Sequence, residues 1–599
     1  MQNINELKNF YSLRADKYKS ETETFTQKLK TTNIIRGIVF ISTVTLAIIL
    51  ANFSLCAMFA VIIIGLVVFG RIVVLSAKYQ KIKEYNSAMF IVNQNELKSL
   101  DNDNSAFDDG KEFINSNHNF SYDLDIFGKN SIFQKVNRCS TKGGYKLLAN
   151  KFQNQLLDAN EILKYQNSAK IFENEVDIRQ NFLACSIINK DDISEEDINN
   201  ISNEKLFFSK SKIWKILPYF IITLTITSVI LSCFDIIHYI WAIILYCTQF
   251  FIIISNNKIT NELASKVDKK VSAFNKEYEL FLILEKCENI PQYIHDLMKQ
   301  SSQSNKVSDA ILQLKKISKL YEYRGNLAFA IFAEGFALYD ILVNIKFEKW
   351  QKQYCKNIKS WFETISECDV LFSLANLKFN NPDWTYPTPS NQEFCLIAKN
   401  AGHPLINSQK CIKNPITFSN CPYLLIITGA NMAGKSTYLR TIGTNIVLAQ
   451  IGAPVCAQMF EWKPVKLMTS IRTSDSVQDS ESYFFAELKR LQTIVNQLEN
   501  GETIFVIVDE MLRGTNSKDK HDGSEKFLKK LMKYNCYGVF ATHDIDIGEM
   551  KSDYPQNIDT KCFEISFQGD NLLFDYTLKD GISKNLNASF LMNKMGIID

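Results

Sequence analysis

The stretch Leu424–Arg440 (Leu-Leu-Ile-Ile-Thr-Gly-Ala-Asn-Met-Ala-Gly-Lys-Ser-Thr-Tyr-Leu-Arg) constrains the fold of this chain more than any other. A short apolar run enters a turn bounded by Gly429 and Gly434, and Lys435-Ser436 opens a helical pattern. The spacing G-x-x-x-x-G-K-[ST] between a strand and a helix brings backbone N–H groups together at a helix N-terminus, where they face a polyphosphate. Gly429, Ala430, Asn431, Met432, Ala433, Gly434, Lys435, Ser436 and Thr437 are therefore the candidate phosphate-binding loop. Lys435 supplies positive charge to the terminal phosphates, and the Ser436 hydroxyl is a candidate Mg²⁺ ligand.

The residues downstream suit the same chemistry. From Glu393 onward short apolar runs alternate with helical patterns, the signature of an α/β domain with a largely parallel sheet. Ile504–Val508 reads as a buried strand and ends in Asp509-Glu510. An acidic pair at the carboxyl end of such a strand lets Asp509 hold Mg²⁺ and Glu510 polarise an attacking water. Tyr537–Thr542 is another strand, and His543 at its end is placed to sense a terminal phosphate beside Glu510. Between loop and acidic strand, residues 473–488 carry hydroxyls and acids ahead of an amphipathic helix, a pattern that by itself is a helix cap.

The front of the chain obeys a different pattern. Gly37–Phe53 carries no charge, and Leu55–Val74 is apolar except for Arg71. Ile216–Cys233 and Ile236–Ile254 form a second such pair. A bilayer-crossing helix needs about 20 apolar residues, so each run is near the lower limit of sufficiency. Lys28, Lys30 and Arg36 precede the first pair and Arg71, Lys78 and Lys81 close it; Lys210, Lys212 and Lys215 precede the second and Lys258 follows. The turns at 52–54 and 234–235 carry no Lys or Arg. Positive flanks predict a multi-pass membrane protein with both termini, the 76–212 segment and the α/β domain on the cytoplasmic side. The late start of the first apolar run and the second run behind it exclude a signal peptide.

Composition narrows the remaining classes. With 46% hydrophobic and 22% charged residues over 599 positions, a folded, multidomain chain is expected rather than a disordered one. A net charge of +3 is too small to argue for a nucleic-acid partner. The 14 cysteines include no C-x-x-C pair and do not cluster with the six histidines, which argues against zinc and a disulfide framework and for a reducing compartment.

Between and after the apolar pairs the patterns are helical. Val267, Val271, Phe274, Tyr278 and Phe281 predict one apolar stripe on a long helix, and more helices run from Val307 to Leu377. The proline-punctuated Asn380–Ser390 is the best domain boundary. The expected organisation is an N-terminal cytoplasmic helix (1–33), a transmembrane hairpin (34–75), a cytoplasmic segment with the first part of a core and lever (76–212), a second transmembrane hairpin (213–255), a second lever part (256–379), a linker (380–392) and the α/β domain (393–599).

Together Thr428–Arg440, Ser482–Leu488, Val508–Thr515 and Ala541-Thr542-His543 resemble the ATPase domain of the MutS family of mismatch-repair proteins. His403-Pro404, Asn414-Pro415 and Leu448–Gly452 add to the likeness. Asp123–Leu148 resembles the start of that family's core and lever domain, and Glu367–Ala375 its end. The resemblance implies an all-α core and lever joined to a C-terminal α/β P-loop (ABC-like) ATPase domain, using ATP and Mg²⁺. It implies a homodimer with composite ATP sites, in which Ser482 reaches the partner's nucleotide and Glu487 lies near metal and attacking water. It also implies that Tyr576 stacks on adenine and that double-stranded or mismatched DNA is a partner. Three departures stand out. The family's other adenine-stacking aromatic falls at Cys411, the loop between Arg513-Gly514-Thr515 and Asp522-Gly523 is longer, and residues before 121 supply a hairpin in place of a mismatch-reading domain. The second hairpin interrupts the lever, where a DNA clamp is otherwise expected. Two functions follow: a membrane-anchored MutS-family ATPase that engages mismatched DNA, or an ATP-driven membrane machine that acts on the bilayer or a protein partner without DNA. A transporter is the weaker third class, since four spans with only a few Ser and Thr inside leave little room for a pathway.

Overall fold

Two long helices open the chain, Ile4–Ala51 and Leu55–Leu100, joined by a turn whose Ser54 hydroxyl accepts a hydrogen bond from the Ala57 N–H. The computed structural model describes residues 4–193, 196, 198–199, 206–271, 274–301, 306–323, 327–390, 395–419, 421–430, 432–472, 483–513, 515–568 and 571–583. At about 1.5 Å rise per residue each opening helix is roughly 70 Å long. The first does not break at the expected boundary after residue 33 but runs straight into the apolar segment. Close approach of the pair is set by Gly65, where a Cβ would fall 2.2 Å from the Thr43 side chain.

The two ends of this rod differ. At its root Leu7, Tyr11 and Leu100 are buried, and the Tyr11 hydroxyl donates to Asn380 Oδ1 at 2.7 Å. Arg138 and Glu96 form a buried ion pair there at 2.6 Å. At its tip Ile41, Ile63 and Leu66 are 61–65% exposed. Among the described residues four helices are long and apolar enough to cross a membrane: Ile4–Ala51, Leu55–Leu100, Lys212–Cys233 and Ile240–Leu263. The latter two form the second hairpin, turning at Asp235 (φ 56°) and tied by Gln249 Nε2 donating to Thr225 Oγ1 at 2.6 Å.

The middle of the chain is helical. The positions of the expected stripe lie in the helical stretches Ile240–Val271 and Phe274–Glu285, and 272–273 between them are outside the described residues. Helix Ile358–Asn380 runs through the core and is almost wholly buried from Thr364 to Leu377. Its Asp369 accepts hydrogen bonds from the Ser140 and Thr141 backbone N–H groups (3.1 and 2.8 Å) and from both hydroxyls. Asp369 thereby closes the N-terminus of helix Lys142–Gln153, joining two segments more than 200 residues apart. Gly144 makes this possible, because a Cβ there would lie 2.5 Å from that of Asp369.

The C-terminal region is α/β. Its strands are β1 (Thr388–Pro389), β2 (Leu396–Ala401), β3 (Asn414–Phe418), β4 (Tyr423–Gly429), β5 (Met459–Trp462), β6 (Lys466–Ser470), β7 (Ile504–Asp509), β8 (Cys536–Thr542), β9 (Ile558–Gln568) and β10 (Asn571–Asp580). A four-stranded sheet has the order β1-β5-β2-β3, and a six-stranded sheet the order β10-β9-β4-β8-β7-β6. In the larger sheet all neighbours are parallel except β9 and β10. Strands β7 and β8 are buried at every residue, as a parallel sheet covered on both faces requires. Leu425, Ile427, Phe505 and Ile507 pack with helix Lys435–Gln450, while Leu424, Ile426, Val506 and Val508 pack with helices Tyr483–Glu499, Ser517–Leu531 and Ile545–Asp553. The proline stretch after Asn380 is packed against this region: Trp384 is buried, Thr385 bridges Val455 and β1 pairs with β5.

Candidate active site

Strands β4, β7 and β8 lie side by side in register, Thr428 beside Thr542 and Asp509 beside Ala541. Their carboxyl ends therefore open at one edge, where α/β sheets place ligands. A cavity of about 740 Å³ lies there, lined by Ala430, Met432, Gly434, Lys435, Ser436, Thr437, Asp509, Glu510, His543 and Tyr576 among others. Lys410, Arg440, Arg472 and Arg513 also line it, so cationic side chains outnumber the two carboxylates. An anionic ligand suits that balance.

The loop after β4 has the backbone that its sequence requires. Gly429 and Gly434 adopt φ of 147° and 114°. A Cβ on Gly429 would meet the Phe563 carbonyl oxygen at 2.6 Å, and one on Gly434 the Tyr576 ring at 3.2 Å. Gly434 is the N-cap of helix Lys435–Gln450, which starts with Lys435 itself. The Lys435 ammonium donates to the carbonyls of Gly429 and Ala430 at 2.7 and 2.9 Å and lies 3.4 Å from His543 Nε2. Burial pulls its pKa down to about 8, against the carboxylates of Asp509 and Glu510. Burial and then the Lys435 charge hold His543 below the usual imidazole value, so the ring is neutral near pH 7.

Glu510 follows β7 in the left-handed region (φ 59°), its N–H bound to the Ala541 carbonyl at 2.9 Å. Its carboxylate accepts from Lys520 Nζ at 2.6 Å and faces Arg513 Nε at 3.6 Å. Burial pushes its pKa up, but Lys520, His543 and Arg513 outweigh burial and leave it below the usual carboxylate value. Lys520 belongs to helix Ser517–Leu531, capped by the Asn516 side chain, so the segment expected to be a long loop is largely helix. Sequence reading missed Lys520; a lysine ten residues from an acid carries no local signal.

Other expected residues fall elsewhere. Glu487 does not line the cavity; it is buried behind it, with Oε1 accepting the Leu512 N–H at 2.6 Å. Its Oε2 has no hydrogen-bond partner among the described residues, and burial raises its pKa. Glu487 thus shapes the loop after β7, where Leu512 also has positive φ, rather than facing Lys435. Asn431 and Ser482 lie outside the described residues. Cys411 does not line the cavity either: its sulfur sits against Gly402 near Cys456, and Ile412 and Lys410 are the residues that face the ligand space. Tyr576 occupies a bulge of β10 at φ 51°, pinned by Asn414, whose Nδ2 donates to the Tyr576 carbonyl at 3.0 Å and whose Oδ1 accepts the Leu578 N–H at 2.9 Å.

The core reaches this site through two aspartates. Asp123 accepts from Thr469 Oγ1 and from the N–H groups of Ile471 and Arg472 (2.6, 3.0 and 3.1 Å). Asp125 pairs with both Arg440 and Arg472, two of the three arginines that line the cavity.

Residues 425–592 match the family model MutS domain V. The DNA mismatch repair protein MutS of Thermotoga petrophila is 30% identical over 225 residues, 37% of this chain and 28% of that protein. That of Petrotoga mobilis is 29% identical over 240 residues, 39% and 28% respectively. The human MutS protein homolog 4 is 29% identical over 235 residues, 38% and 24%. The matched part is thus less than a third of the length of each of these relatives.

Proposed function

Because the chain belongs to the MutS family through its C-terminal region, we propose that it binds and hydrolyses Mg-ATP in the cavity at the ends of β4, β7 and β8. The observation that carries this reading is the meeting of Lys435, Ser436, Asp509, Glu510 and His543 around one space. The loop backbone, held at positive φ by Gly429 and Gly434, and the excess of cationic side chains both fit a polyphosphate. Ser436 and Asp509 would hold Mg²⁺, which when bound neutralises phosphate charge. Lys435 donates to the terminal phosphates, Glu510 takes the proton of a water held beside it, and neutral His543 accepts or donates a hydrogen bond at that edge. Tyr576, over the loop and 44% exposed, offers a ring to the base. Two copies clasp nucleotide between them, with Ser482 supplied across the interface. The four apolar helices anchor the assembly in a bilayer, with the α/β region cytoplasmic.

The relatives are mismatch-repair proteins by name, so mismatched duplex DNA is the first partner to test. A second reading, in which the levers act on the membrane without DNA, is favoured by one contact. Helix Ile240–Val271 continues out of the second hairpin, and its Thr260 hydroxyl accepts from Asn344 Nδ2 of helix Tyr339–Tyr354 at 3.2 Å. Motion of the lever helices would pass directly into the hairpin.

The test is nucleotide binding and phosphate release by the full-length protein in lipid vesicles, with Lys435→Ala beside it. Loss of binding in Lys435→Ala is expected; unchanged binding contradicts the site. Titration of matched and mismatched duplex over a salt series then separates the two readings. Tighter, salt-sensitive binding to mismatched duplex supports the first, and equal, negligible binding at low salt supports the second.

A further inference from the structure

The segment Leu327–Ala337 (Leu-Ala-Phe-Ala-Ile-Phe-Ala-Glu-Gly-Phe-Ala) forms an 11-residue helix beside the second apolar hairpin. We infer that this helix is a further lipid-facing element, which enters the apolar layer of a bilayer without crossing it. The inference rests on the membrane reading above and adds a contact surface that neither the apolar-run pattern nor the family likeness assigns. At about 1.5 Å per residue the helix spans roughly 16 Å, about half of a 30 Å hydrocarbon layer.

Three observations carry it. First, the helix is seated on a residue well inside the hairpin. The Phe336 ring lies 5.2 Å from that of Tyr246, and a Cβ on Gly335 would fall 1.9 Å from the Tyr246 ring, so only glycine admits it. Tyr246 precedes Lys258 by twelve residues, about 18 Å along the helix axis. Second, the hydroxyl at this seat is matched within the protein: the Tyr246 O–H donates to the Ile331 carbonyl at 3.0 Å. In water a half-exposed tyrosine needs no such partner, whereas in hydrocarbon an unpaired hydroxyl costs several kcal/mol. Third, the outward face carries no charge. The segment's single ionisable side chain, Glu334, is 7% exposed and accepts the Asp340 N–H at 3.3 Å, while Phe332 is 67% exposed and Ile331 47%. Ile243 and Ile244, on the hairpin helix that carries Tyr246, are likewise exposed and apolar, so one apolar solvent suits both. Leu338 (φ 44°) then ends the segment, and Tyr339–Tyr354 returns into the buried core.

The test uses the full-length protein in phosphatidylcholine–phosphatidylglycerol vesicles, with photoreactive p-benzoylphenylalanine replacing one residue at a time: Phe332, Ile244 in the hairpin, or the exposed Leu13 near the root of the rod. Irradiation followed by mass spectrometry reads whether lipid or protein is captured. Lipid adducts at 332 and 244 but not at 13 are expected. Adducts at 244 with only protein or no capture at 332 overturn this inference and leave the membrane reading intact. No lipid at 244 overturns both. Gly335→Leu, which removes the seat for Tyr246, is expected to lower lipid capture at 332 and leave 244 unchanged; undiminished capture at 332 contradicts the seat.

Discussion

Strand β7 and the helical run Leu55–Val74 are both rich in Ile, Val and Phe, yet they face opposite surroundings. Every residue of β7 is buried between two layers of helices. In the helical run Ile63, Ile64 and Leu66 are all more than 60% exposed. A strand leaves its backbone groups to its neighbours and must lie inside a sheet, whereas a helix pairs its own and can turn apolar side chains outward into lipid. What separates the two runs in sequence is length and punctuation. The strand stops after six residues at Asp509-Glu510, and the helical run continues to Arg71, Lys78 and Lys81.

A charge placed in each run tests that contrast. Val506→Asp buries a carboxylate with no partner at the centre of the sheet and is expected to cost on the order of 4 kcal/mol or more. The C-terminal region then loses nucleotide binding and becomes sensitive to protease. Ile63→Asp should cost about 3 kcal/mol of membrane insertion and leave nucleotide binding intact, read by membrane extraction beside a binding assay. If Ile63→Asp destroys the nucleotide site instead, the two regions are not independent and the contrast is wrong. Next in size is Asp369→Ala, which strips the acceptor from the Ser140 and Thr141 N–H groups. A loss of about 1–3 kcal/mol is expected in thermal unfolding, with Asp369→Asn milder.

The smallest expected effect is Lys520→Met. The pair with Glu510 is about a quarter exposed on each side, so its contribution to stability is at most about 1 kcal/mol. Its pH signature is more informative. Glu510 titrates below its unfolded value, so its stabilising contribution is present above the unfolded carboxylate pKa and is lost as pH falls through the folded one. Removing Lys520 raises the folded pKa, and the acid limb of the turnover profile should move to higher pH. An unmoved limb would mean that Lys520 does not tune Glu510.

The cavity at the ends of β4, β7 and β8 was legible where its residues are local in sequence. Gly429 to Thr437 are consecutive in the chain, and Asp509-Glu510 and His543 each close an apolar run short enough to be a buried strand. Contacts made through space were not legible. Asp369 holds the segment that leads into a helix more than 200 residues away, and Asp125 meets Arg440 and Arg472 from the far side of the chain. Glu487 reads as a site acid in sequence, but its helix carries it behind the loop it supports. The rod also hid itself: polar residues 4–33 and the apolar segment after them share one helix, because helical backbone is indifferent to whether water or lipid lies outside.

On the proposed reading Glu510 is the base for hydrolysis at a site built by Lys435. That reading is tested most directly by comparing ATP binding and turnover in full-length Glu510→Gln and unaltered protein. Binding retained and turnover lowered by about 100-fold or more, the usual scale for removing a general base, are expected. Turnover by Glu510→Gln at the unaltered rate would contradict it.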